Sequence, residues 1–154
     1  AGDPDPAVIA RSAGLSVLTV MRRMALLPGS QAGLVICDAS GTLLFRKPID
    51  GFALPRFGAA CPLWPLFGAL ARPMTPMVQV VEMAGRTPRL FRTLSICETR
   101  LPQGFAGPDL REAAMLILPQ DVPRSGGQVL GLGTSCRICP RSACPARREP
   151  SIMV

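Results

Sequence analysis

Gly33-Leu34-Val35-Ile36-Cys37-Asp38-Ala39-Ser40-Gly41-Thr42-Leu43-Leu44-Phe45-Arg46 decides the reading of the fold. A short, wholly apolar run from Gly33 to Cys37 is a buried strand. Asp38-Ala39-Ser40-Gly41 supplies turn residues, and Thr42 to Arg46 returns, so the stretch predicts a β-hairpin. Upstream, the apolar positions between Ala7 and Leu27 recur at helical spacing. Gly14-Leu15-Ser16 breaks them into two helices and Pro28-Gly29 ends the second, while the turn-rich lead Asp3-Pro4-Asp5-Pro6 places an N-cap before the first. Downstream, Pro62 opens a helix that runs through Leu70. Met77 to Met83 and Arg89 to Glu98 then form a second hairpin around Gly85-Arg86. Gly107-Pro108-Asp109 begins a short helical stretch, and Met115 to Leu118 gives a fifth strand that Pro119 ends.

Two hairpins, one further strand and intervening helices make an α+β chain: an antiparallel sheet with helices on its faces. Small ligand-sensing domains of the GAF and PAS kind have this pattern. The segment Ala13-Gly14-Leu15-Ser16-Val17-Leu18-Thr19-Val20-Met21-Arg22-Arg23-Met24 has the outline of a helix-turn-helix. Its leading residues Val17-Leu18-Thr19-Val20 are poor material for base edges, and an ordinary packing pair of helices is the better reading.

Composition removes whole classes of function. The chain has 154 residues, enough for one domain of ordinary size with a flanking segment, and 48% of them are hydrophobic, too many for a disordered chain. It contains no run of about 18 apolar residues and no secretory leader, which predicts a cytoplasmic protein without a membrane partner. It starts at Ala1, which reads as a domain excised from a longer protein. With no histidine, Ser–His and Cys–His nucleophile pairs and imidazole metal ligands are all excluded. No motif-grade carboxylate pair is present, so an enzyme is not expected. The net charge of +7 rests on sixteen arginines and the single Lys47. Arginine's planar fork suits phosphate and carboxylate, which points to an anionic partner; general surface charge is the plainer reading of most individual arginines.

The six cysteines are not a disulfide framework in such a chain. Cys37, Cys61 and Cys97 lie in or beside apolar segments. The other three form Cys136-Arg137-Ile138-Cys139-Pro140-Arg141-Ser142-Ala143-Cys144-Pro145, a C-x2-C-x4-C spacing inside a tail, Pro123 to Pro150, that is rich in Gly, Pro, Ser and Arg. Such a tail has too little apolar surface to order itself and needs a staple. Thiolates two residues apart grip one centre from a single turn, and both zinc and iron–sulfur clusters are held in this way. Four ligands are normally wanted. Cys61, in Gly58-Ala59-Ala60-Cys61-Pro62-Leu63-Trp64, is the best candidate for the fourth, and an open position filled by a small molecule is the alternative. Arg137, Arg141, Arg147 and Arg148 surround the thiols and offset the negative charge of a thiolate-bound centre. Reduced free cysteines on a basic tail are the plain alternative, at the cost of a standing oxidation liability.

The segments Pro55-Arg56-Phe57-Gly58-Ala59-Ala60-Cys61-Pro62-Leu63-Trp64 and Gly133-Thr134-Ser135-Cys136 through Arg147 resemble the C-terminal domain of the short-chain fatty-acyl-CoA-responsive bacterial transcription regulators, the RamB- and PrpR-like group with an XRE-type helix-turn-helix. The resemblance covers roughly Gly33 to Pro150. It implies a helical segment at 1–30 that ends a peptidase-like domain, a GAF-like effector-binding domain at 31–122 and a cysteine-rich cluster-binding tail at 123–154. It further implies an iron–sulfur cluster of the 4Fe-4S kind on Cys136, Cys139 and Cys144, an acyl-CoA effector, and DNA bound through an N-terminal domain absent from this chain. Cys61 falls on the family's Cys-Pro-x-Trp motif and is inferred to be the fourth ligand. The peptidase motif has no counterpart here. For the effector, physical chemistry suggests Arg56 for phosphate and the rings of Phe57 and Trp64 for an apolar or stacked group; core packing is an equal reading for Phe57 and the stronger one for Trp64. A homodimer is expected from operator symmetry. Met74, Met77, Met83, Met115 and Phe91 suit either a pocket or a core. The alternative function is a zinc-stabilised module for nucleic-acid or protein contact.

Overall fold

The computed structural model describes residues 4–120 and 127–153. Asp3 of the lead and the first residues of the tail, Pro123 included, lie outside the described residues. The elements in chain order are α1 (Pro6–Ala13), α2 (Val17–Leu26), β1 (Gly33–Asp38), β2 (Leu43–Lys47), α3 (Pro65–Leu70), β3 (Met77–Met83), β4 (Arg89–Arg100), β5 (Leu110–Pro119) and β6 (Val129–Leu132). Short 3-10 turns cover Gly104–Ala106 and Cys136–Ile138.

The helix pair begins and ends where its capping residues stand. The Asp5 carboxylate accepts from Ala7 N at 2.8 Å, and Gly14 closes α1 in the left-handed region at φ 67°, which costs an L side chain energy and glycine nothing. Ser16 Oγ accepts from Thr19 N at 3.1 Å, and Glu98 reaches over from β4 so that its Oε1 accepts from Val17 N at 2.7 Å and Leu18 N at 3.3 Å. A carboxylate there satisfies orphan amides and faces the positive end of the helix dipole. Leu18, Met21 and Ala25 are buried against the sheet, so α2 is a packing helix, with its front turn committed to Glu98.

The sheet order is β2-β1-β5-β4-β3-β6. The first five strands are antiparallel, and β6 joins the edge in parallel, Val80 opposite Val129 through Met83 opposite Leu132. Both faces are covered. Leu34, Ile36, Leu94, Ile96, Ala114, Leu116 and Leu118 face α2. Val35, Cys37, Phe91, Cys97, Ala113, Met115 and Ile117 face α3, Phe52 and the segment around Cys61. Cover on both faces is why β1 and β5 read as continuous apolar runs rather than alternating ones. Each fully buried side chain of this kind, such as Leu34 or Phe52, contributes roughly 1.5–3 kcal/mol by leaving water.

Three expectations change. No helix starts at Gly107-Pro108-Asp109: Gly107 is extended, and β4 and β5 pair from Phe91–Pro119 as far as Arg100–Leu110, so those residues belong to a hairpin loop. The helix after Cys61 starts at Pro65 instead of Pro62, because Cys61 to Trp64 forms a turn closed by Trp64 N donating to Cys61 O at 3.2 Å. The tail is not wholly irregular, since its Val129–Leu132 extends the sheet. Met83, Met115 and Phe91 are buried in the core facing α3, and Met77 packs against it. Met74 stands exposed at φ 62°, its N–H bonded to Cys97 O at 2.8 Å.

Candidate metal centre

Two segments more than seventy residues apart meet at the end of β6. Cys61 N donates to Thr134 O at 2.9 Å, and Thr134 Oγ1 donates to Ala53 O at 3.0 Å. The Trp64 indole N–H donates to Gly133 O at 2.8 Å in a buried bond. Trp64 is 1% exposed; its ring stacks on Phe67 at 9° with centroids 6.2 Å apart and leans on Phe52 at 5.6 Å. The Cys-Pro-x-Trp turn is thus riveted to the strand that leads into the cysteine loop.

Cys61, Cys136, Cys139 and Cys144 line one small cavity together with Gly133, Arg141 and Arg147. The first three are buried and Cys144 is half-buried. All four are free thiols. Among the described residues, no group of three or more cysteine, aspartate or glutamate side chains stands in an arrangement that could hold a metal ion.

Glycines make that cavity. A Cβ at Gly133 would lie 2.8 Å from Cys139 Sγ and 3.1 Å from Cys139 Cβ, so only glycine lets the cysteine approach the strand. A Cβ at Gly131 would meet the Arg141 guanidinium at 2.8 Å. Arg141 binds the tail to β3: its Nε donates to Leu132 O at 3.3 Å, its Nη2 to Glu82 O at 3.2 Å, and it pairs with Glu82 Oε1 at 3.7 Å.

Electrostatics divide the thiols. Burial pushes the Cys61 thiol up, and the neighbouring Cys136 and Cys139 push it the same way, while backbone N–H groups of Gly133 and Leu63 pull it back in part. Burial also works against a charged Cys136, but it is outweighed. The backbone amide and guanidinium of Arg148, with the amide of Glu149, hold Cys136 below the ordinary thiol range. Amides and an arginine aimed at sulfur are what an anionic thiolate centre requires.

The structure brings the four cysteines singled out in the sequence, Cys61, Cys136, Cys139 and Cys144, to one cavity. The three residues expected to meet an effector are not brought together. Arg56 and Phe57 lie exposed on the loop between β2 and α3, Phe57 at 90%, whereas Trp64 is a core residue whose N–H is already committed to Gly133. An effector-stacking role for Trp64 is therefore corrected, because neither its ring faces nor its donor are free. Sequence reasoning read Arg141 and Arg147 as charge beside thiolates and missed that both bond to backbone carbonyls. It also passed over the alternation Gly131-Leu132-Gly133, a signal of close backbone approach.

Comparison with known proteins agrees with this architecture. The family described as "Short-chain fatty acyl coenzyme A regulator, C-terminal" matches residues 31–154. The chain is 30% identical over 126 residues to the HTH-type transcriptional regulator RamB of Mycobacterium tuberculosis, covering 75% of this chain and 27% of that protein. It is 30% identical over 155 residues to the propionyl-CoA carboxylase regulator of Cereibacter sphaeroides, covering 90% of this chain and 33% of that protein. With the M. tuberculosis regulator PrpR the identity is 26% over 159 residues, or 32% of that protein, so the chain spans about a third of the relatives it matches. A solved structure titled "Mycobacterium tuberculosis transcriptional regulator" superposes with a TM-score of 0.80 over 96% of this chain and 49% of that one; at 24% identity this is a likeness of fold. The two halves of the cysteine cavity, Cys61 and the loop from Cys136 to Cys144, both lie inside the matched range, and the chain belongs to the short-chain fatty acyl coenzyme A regulators, of which it carries the C-terminal domain.

Proposed function

We propose that this chain is the effector-sensing domain of a cytoplasmic bacterial transcription regulator. In this reading it holds an iron–sulfur cluster, responds to a short-chain acyl-CoA or a related anionic metabolite, and biases DNA binding by a helix-turn-helix domain outside this chain. It has no catalytic role, and the full-length protein acts as a homodimer on two-fold operators. The observation that carries the reading is the convergence of Cys61 with Cys136, Cys139 and Cys144 on one cavity in a member of this family. A sheet whose first five strands are antiparallel, with helices on both faces, supports the comparison with GAF- and PAS-type sensing domains.

The donor types suit a thiolate-bound inorganic group: four cysteines line one cavity, and both zinc and iron–sulfur clusters take such ligands. An iron–sulfur cluster would supply one-electron redox chemistry and sensitivity to oxidants. The protein's part is to present four sulfurs, direct amide N–H groups and the Arg148 guanidinium at two of them, and keep three of the four out of water. Coupling to DNA then requires that effector and centre each favour one arrangement of the sheet and tail over another.

The test is anaerobic purification with iron, sulfide and zinc analysis and a visible spectrum. Brown protein with matched iron and sulfide, lost in Cys139→Ser, is the expected result; colourless protein with one zinc would leave a structural clamp and remove redox sensing. A rise in melting temperature with an acyl-CoA is expected next, and unchanged melting across several acyl lengths would remove the effector.

A further inference from the structure

We propose that Arg147 is the positioning residue of the cysteine loop, fixing the backbone that carries Cys136 and Cys139 before any inorganic group arrives. One guanidinium bonds four carbonyl oxygens. Its Nη1 donates to Cys136 O at 2.9 Å and to Glu149 O at 3.2 Å, and its Nη2 donates to Cys139 O at 3.2 Å and to Arg141 O. The residues so joined are two of the four cysteines, the arginine that binds the tail to β3, and Glu149, whose amide lies against Cys136.

The surrounding chain has little else to hold it. The loop contains one 3-10 turn, Cys136–Ile138, and its backbone bonds are few: Ile138 N to Ser135 O and Cys139 N to Cys136 O, both at 3.3 Å, Arg147 N to Cys144 O at 3.2 Å and Ile152 N to Arg137 O at 2.8 Å. Among the described residues of the loop from Pro140 to Pro150 there is no helix or strand. A stretch this irregular loses conformational entropy at every ordered residue, and four charge-assisted bonds from a planar fork offset part of it. Lysine cannot substitute, because an ammonium is a point donor and does not span four separated oxygens. Arg148 complements the clamp from outside, donating from Nη2 to Ala60 O and so joining the loop to the residue before Cys61.

The assignment rests on the proposed cluster only for one of its two readouts. The first is amide hydrogen exchange of the metal-free full chain, read in peptides covering residues 135–152. Arg147→Gln should speed exchange there by at least about tenfold, as expected for losing bonds to a charged donor, and leave peptides of β1 and β5 unchanged. Arg147→Lys should behave like the glutamine variant. The second is the half-life of the visible absorbance of reconstituted protein under a chelator, which should shorten about tenfold in both variants if local opening admits the chelator. An Arg86→Gln control, with a charge removed from the exposed turn between β3 and β4, should match wild type in both. Wild-type exchange in Arg147→Gln, or full rescue by Arg147→Lys, would overturn the assignment. Should the glutamine variant fail to fold, the lysine variant decides alone. Wild-type protein without iron and sulfide would sink the cluster reading, while the exchange result would still decide the role of Arg147.

Discussion

The indole nitrogen of Trp64 donates to the carbonyl oxygen of Gly133 at 2.8 Å, and this buried bond joins the turn carrying Cys61 to the strand entering the cysteine loop. Trp64→Phe keeps a ring in the core and removes only the donor and some volume. It leaves Gly133 O buried without its partner, and the expected loss is about 1–3 kcal/mol of stability in urea unfolding. A stability equal to wild type would mean that the bond contributes nothing net.

Gly133→Ala should damage metal loading more than folding. Its Cβ would stand 2.8 Å from Cys139 Sγ, whereas an added Cβ at Gly85 would meet nothing within 4 Å. Metal analysis of the two alanine variants, with circular dichroism as the check on folding, should show a loss of bound metal in the first and wild-type content in the second.

Glu98→Ala should lower the melting temperature through α2. Its carboxylate accepts from Val17 N and Leu18 N at the helix start, and removing a cap of this kind costs about 0.5–2 kcal/mol. Glu98→Gln keeps an acceptor and should recover part of the loss in the same thermal scan.

Cys37 gives the fold an alkaline limit. Burial pushes its thiol up to about 12, with the charges of Asp38 and Cys97 adding to the effect and the Ala113 amide opposing it. The folded state therefore favours the neutral thiol more than the unfolded state does. That stability is fully present below the ordinary value of 9.0 and is lost as pH rises from there through about 12. Over the whole window the loss is on the order of 4 kcal/mol. Urea midpoints between pH 8 and 11 should fall more steeply for wild type than for Cys37→Ala, and parallel slopes would contradict this.

Local chemistry made much of this legible in the sequence. Gly14 and Ser16 mark the break between the first two helices because a left-handed cap and a hydroxyl cap depend on few neighbours. The two hairpins follow from apolar runs bounded by turn residues, and Met77–Met83 is a strand as expected. The strand Val129–Leu132 was hidden because it is only four residues long with Gly131 inside it, and it forms by pairing in parallel with β3. The grouping of Cys136, Cys139 and Cys144 was legible because their spacing confines them to one loop. Arg147 was not, because an arginine bonding to carbonyls and one facing water are written with the same letter, and only the folded loop separates them.

The parallel strand at the sheet's edge carries one more consequence. Without Val129–Leu132, β3 would present a row of unpaired amides and carbonyls to solution, the surface along which chains stack edge to edge. The stretch that covers this row leads directly into the cysteine loop, held there by Arg141 and by Ala84 N donating to Leu132 O at 2.9 Å. Damage to the thiols that loosened the tail would therefore register first as a loss of solubility, with the core of the sheet still intact.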